Sequence, residues 1–179
     1  MDKKEIQAEV TRRLAQENSK TSTFKALKGK GVRDAVLANM IASYAEPARV
    51  EAHTLAVKIL VGISWLQLVL AVMVVLMLGV SFGWLMALVL TAATGAFCYL
   101  FVWGFKNHKA GVYNAWLFLT VINFHRHFKD FAEAPTMNTI LLLLNIGLLG
   151  FIFYLRSKLF PDMVLVGPMK VRGEYRFSS

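Results

Sequence analysis

Residues 123–130 read NFHRHFKD and set two imidazoles, His125 and His127, beside two cations, Arg126 and Lys129, at the end of an apolar run. Paired histidines in such a place suggest a metal or a haem. On a helix, positions two apart are rotated by about 200°, so these rings do not close on one ion as an i, i+4 pair does, and no thiolate stands near them. His53 and His108 fall in other segments. The pattern therefore reads as interfacial: His125 and His127 charged or neutral as the local pH dictates, flanked by Arg126 and Lys129, with no metal and no haem.

The second set of chemistry-bearing residues is uncharged and lies within the apolar runs: Ser64, Gln67, Asn114, Asn123 and Asn145. A carboxamide surrounded by hydrocarbon needs a hydrogen-bond partner. Asn145, near the middle of its run, is accordingly expected to bond Gln67 or a residue of the third span across helices. The runs contain no Asp, Glu, Lys or Arg, whereas proton relays and ion paths usually need them. The chain also lacks a nucleophile paired with a base, a glycine-rich phosphate loop and paired carboxylates in an apolar setting. No catalytic residue and no cofactor site follow from the sequence, and the expectation is a non-enzymatic protein. The single cysteine, Cys98, excludes an intrachain disulfide and a cysteine-based cluster.

The elements that carry these residues are set by the hydrophobic pattern. Apolar residues make up 56% of the chain and mean hydropathy is +0.51, too greasy for a soluble domain of 179 residues. No charge occurs from Ile59 to Phe105, nor from Ala134 to Leu155. Each run reaches or exceeds the roughly 18–20 residues that cross a hydrocarbon core about 30 Å thick. The first run begins too late and continues too long for a secretory signal. The fold class is therefore an all-α integral membrane protein.

Three regions are expected: 1–55, a basic cytoplasmic amphipathic helical region; 56–158, a four-helix transmembrane domain; and 159–179, a cytoplasmic tail. The spans fall at about 59–80, 82–105, 110–128 and 137–157, in two hairpins, the first closed by the tight turn Ser81–Phe82–Gly83. Trp65, Trp84 and Trp103 suit interfacial belts, and Ala92 and Ala96 give a small-xxx-small packing hint. The third span is the problem. VYNAWLFLTVINF (112–124) covers about 20 Å at about 1.5 Å per residue, short of the core. Phe124, Phe128 and Phe131 recur at i, i+4, i+7, so the helix is expected to continue past Phe124 along the interface.

Charge decides between three spans and four. With four, 18 of the 20 Lys and Arg lie on one side and 2 on the other; with three, the division is 15 to 5. The positive-inside rule favours four spans with both termini cytoplasmic, in a bacterial inner membrane. The net charge of +9 is then explained by orientation and anionic lipid headgroups, with no need of nucleic acid.

Outside the spans, Ile6, Val10 and Leu14 form a narrow helical stripe, residues 18–31 read as a mobile linker, and Val36, Leu37, Met40, Ile41 and Tyr44 form one face of a stronger helix. Asp34 is its cap or first-turn acid. Pro47 restarts the chain as a helix that runs unbroken into the first span. In the tail, MKV pairs with EYR across Arg172–Gly173 as a small β-hairpin.

These features predict a membrane subunit or scaffold that associates with other membrane proteins or with itself, as a homo-oligomer. It would present the face at Val36, Leu37, Met40, Ile41 and Tyr44 to a cytoplasmic protein. Two alternatives are an immunity protein that blocks a pore-forming toxin and an oligomeric channel or small-solute transporter lined by Asn114, Asn123 and Asn145.

Overall fold

A computed structural model describes residues 2–16, 19–124, 135–165 and 167–178. The chain is mostly helical, with a small C-terminal sheet region, and divides into two compact units: Met1–Val50 with Arg156–Ser179, and Glu51–Leu155.

In the first unit, α1 (Lys3–Ala15) starts at a capping box in which Asp2 accepts from the Lys3 amide and donates its own amide to Glu5 at 2.8 Å. Its stripe of Ile6, Val10 and Leu14 is buried, as the four-residue spacing predicts. Residues 18–31 are not simply a linker. Ser19 accepts from the Ser22 amide at 3.1 Å and starts α2 (Lys20–Leu27). Gly29 and Gly31 follow in the left-handed region at φ 76° and 107°. The partners of the apolar residues of α2 are distant in sequence: Leu27 is buried in the core, and the Phe24 ring lies 5.5 Å from Tyr175 and 5.6 Å from Phe177.

The next helix, α3 (Asp34–Ala42), carries Asp34 in its first turn, while Arg33 holds the cap position. Pro47 opens α4 (Pro47–Ala52). That helix does not run on unbroken: His53, at φ −115° and ψ 15°, separates it from α5, and its ring meets Tyr154 edge-on at 6.2 Å.

The tail holds two short antiparallel pairs. The first, β1 (Met163–Val164) with β2 (Gly167–Pro168), had no signal in the sequence; the second, β3 (Lys170–Val171) with β4 (Glu174–Tyr175), is the expected hairpin. Arg172 and Gly173 both take positive φ, 51° and 86°, as a type I′ turn requires. An isolated two-stranded hairpin is marginal in water, and Tyr175 and Phe177 relieve this by packing on Phe24.

In the second unit, α5 (Thr54–Gly79) and α6 (Trp84–Lys106) form a hairpin closed by one 3-10 turn at Val80–Phe82 and by Gly83 at φ 98°. The helices approach closely at the turn: a Cβ on Gly79 would lie 2.8 Å from the Ala87 Cα. Ala92 and Ala96 are exposed, so the small-residue pair picked from the sequence is not the packing face; Ala87 and Gly95 take that role. The remaining helices are α7 (Ala110–Asn123), on which Tyr113 packs against Phe105 with centroids 4.8 Å apart, and α8 (Pro135–Leu159).

Among the described residues, three helices are long and apolar enough to cross a membrane: Thr54–Phe82, Trp84–Lys106 and Pro135–Leu159. At 14 residues, α7 is not among them. The proposed extension through Phe128 and Phe131 lies outside the described residues, as do His125, Arg126, His127 and Lys129.

Candidate functional site

Helices α5, α6, α7 and α8 line an uncharged cleft of about 470 Å³ within the second unit. From α5 come Ser64 and Gln67, one turn apart, so that both point the same way. Phe97, Cys98 and Phe101 of α6 form an aromatic wall at i, i+4 spacing around the only thiol. Trp116, Thr120 and Asn123 of α7 face them, and Asn145 of α8 completes the lining.

Three of the four carboxamides singled out in the sequence thus line one cleft: Gln67, Asn123 and Asn145. Asn114 is not part of the lining. The hydrogen bonding differs from expectation. Among the described residues Asn145 does not bridge helices; its Nδ2 donates to the Leu141 carbonyl of its own helix at 2.9 Å, and Asn123 donates likewise to Leu119 at 2.8 Å. Ser64 donates to Leu60 at 2.8 Å. Each side chain spends one donor one turn back along its own helix, which spares a hydrocarbon-facing N–H or O–H but leaves acceptor oxygens available. Among the described residues, the Gln67 amide has no hydrogen-bond partner at all.

The face at Val36, Leu37, Met40, Ile41 and Tyr44 has a different fate. Leu37 and Ile41 are fully buried with Ile6, Val10, Leu14 and Leu27, and Met40 and Tyr44 pack against that cluster; Val36 is half-buried. The stripe is core. Periodicity reveals an apolar side but not what covers it, and here the rest of the unit does.

The sequence reading missed an ionic centre in the first unit. Lys20, 4% exposed, sits 2.7 Å from Asp162 and 2.8 Å from Glu46, and Glu46 also pairs with Arg49 at 2.6 Å. Asp162 further accepts the Ser178 amide, and Arg156 donates to the Val164 carbonyl. One cation thereby ties α2, the segment before α4 and the tail. Burial pushes the Glu46 carboxyl up, but its bonds to Lys20 and Arg49 together outweigh this and hold it below its usual value. No local pattern announces such a group, because Lys20 and Asp162 are 142 residues apart.

Comparison with protein-family models, with characterised proteins and with solved structures yields no match, so geometry alone must carry the functional reading.

Proposed function

We propose that this protein is a four-span, non-enzymatic membrane subunit that associates with other membrane proteins or with copies of itself, and holds a folded basic unit at the cytoplasmic face of a bacterial inner membrane. The observation that carries this reading is the joining of both chain ends in one unit. Lys20 bonds Asp162, and Phe24 packs on Tyr175 and Phe177. A polar unit built from both ends lies on one side of a bilayer, so the chain must cross an even number of times. The three long helices among the described residues make an odd count. An even count on this reading makes α7 a candidate for the fourth crossing.

The orientation rests on charge. Lys3, Lys4, Lys25, Lys28, Lys30 and Arg33 are all exposed on the first unit, which suits the anionic cytoplasmic leaflet. With the α3 stripe occupied by the core, any cytoplasmic partner must engage this basic exterior. The test is native mass spectrometry of the full chain extracted in mild detergent. An assembly larger than the monomer is expected, together with loss of the partner, but not of membrane insertion, when Lys25, Lys28 and Lys30 are reversed to Glu. A wild-type chain found only as a monomer would contradict the proposal.

A further inference from the structure

The cleft in the second unit has the composition of a ligand site, and its chemistry narrows the ligand. At about 470 Å³ it falls within the range of roughly 300–1,000 Å³ common for small-molecule pockets. No charged side chain lines it. Gln67 lies near the middle of α5 and Asn145 near the middle of α8, so a ligand head that reaches both must sit deep in the hydrocarbon region, where an ion is expensive. Phosphate, carboxylate and ammonium heads are thereby excluded.

What the cleft offers is hydrogen-bond acceptance. Asn123, Asn145 and Ser64 have each donated to their own helix, which leaves their oxygens able to accept at a cleft also lined by Phe97, Phe101 and Trp116. Gln67, exposed on α5 and without a hydrogen-bond partner among the described residues, adds another acceptor and two donors. A carboxamide left unpaired in hydrocarbon is costly, so an occupant that donates hydrogen bonds is favoured over plain acyl chain.

We infer that this cleft binds an uncharged amphiphile whose head carries hydroxyl donors, the head set among Gln67, Asn123 and Asn145 and flanked by the aromatic wall. A hydroquinone with an isoprenoid or alkyl tail and a glyceride with a free hydroxyl share this chemistry. The inference stands independently of any partner subunit.

The test uses the full chain in lipid nanodiscs with Trp65, Trp84 and Trp103, all exposed, changed to Phe, so that Trp116 alone reports. A decyl-tailed hydroquinone and dioctanoylglycerol are titrated separately, with decane and decyl phosphate as comparators. Saturable change in Trp116 emission is expected with at least one hydroxyl-bearing probe and with neither comparator; which probe saturates identifies the source. Gln67→Leu and Asn145→Leu should each weaken binding about tenfold, while Asn114→Leu, outside the lining, should leave it unchanged. Cys98→Phe fills the cleft without removing a polar group and should abolish binding, which covers the case of a leucine variant that fails to fold. Saturation by decane, no saturation by either hydroxyl probe, or undiminished binding in both leucine variants would overturn the inference. So would a change of oligomeric state in Gln67→Leu with no ligand effect, since that would make a neighbouring helix the occupant.

Discussion

In the unit formed by the two chain ends, Ile6, Leu27, Leu37 and Ile41 are at or below 1% exposure, whereas in the unit of residues 51–155 Leu66, Leu78, Leu85 and Leu88 are all more than half exposed. The same residue types serve as core in one region and as outer surface in the other. The difference is one of solvent: water drives apolar side chains inward, while lipid removes that drive and leaves close packing and hydrogen bonding to hold helices together. Polar groups show the contrast too. The first unit closes Lys20 onto two carboxylates, and the second turns its amides onto carbonyls of their own helices.

The largest expected effect breaks the first unit alone. Asp162→Ala leaves Lys20 buried with only the half-exposed Glu46, and removal of one partner from a buried pair costs on the order of 3–5 kcal/mol. Proteolysis should then release the tail beyond Phe160 while the long helices stay inserted, and the swap Lys20→Asp with Asp162→Lys should recover part of the protection. Next comes Ile41→Ala, expected to cost about 3 kcal/mol as a core truncation and read by urea denaturation of the region outside the membrane. If the α3 stripe served only a partner, the denaturation midpoint would not move.

Gly79→Ala acts in the second unit, where the added methyl meets the Ala87 backbone. Overpacking of that kind costs about 1–3 kcal/mol and should loosen the α5–α6 hairpin, as reported by reduced disulfide cross-linking between cysteines placed on the two helices. Gly62→Ala, which meets nothing within 4 Å, should leave cross-linking unchanged. The smallest effect concerns pH. The folded-state pKa of Glu46 lies below its ordinary value of 4.5, so its contribution is fully present above that value and disappears as pH falls through the lower folded one. The first unit should weaken slightly on acidification below pH 4.5, and Glu46→Gln should flatten that part of the profile.

The sequence made some of this legible and hid the rest for identifiable reasons. Charge-free runs located α5, α6 and α8, since a hydrocarbon solvent writes itself into composition. The pair Arg172–Gly173 marked the β3–β4 hairpin because few residues tolerate its backbone. Helix α2 went unseen: its cap, Ser19, is ordinary, and its apolar residues meet Tyr175 and Phe177 from the far end of the chain. The same distance concealed Lys20 and Asp162. For the cleft, Gln67, Asn123 and Asn145 stood out as polar residues in apolar runs, but that they face one space depends on helix rotation, which periodicity alone does not supply when every face is apolar.

The central proposal is parity: because both chain ends fold into one unit, we propose an even number of crossings. A single cysteine tests it, placed as Lys129→Cys in a Cys98→Ala background and exposed to a membrane-impermeant maleimide, with Lys4→Cys as the cytoplasmic counterpart. Four spans predict labelling at position 129 in intact spheroplasts and at position 4 only after lysis. Labelling at position 129 only after lysis would contradict the account.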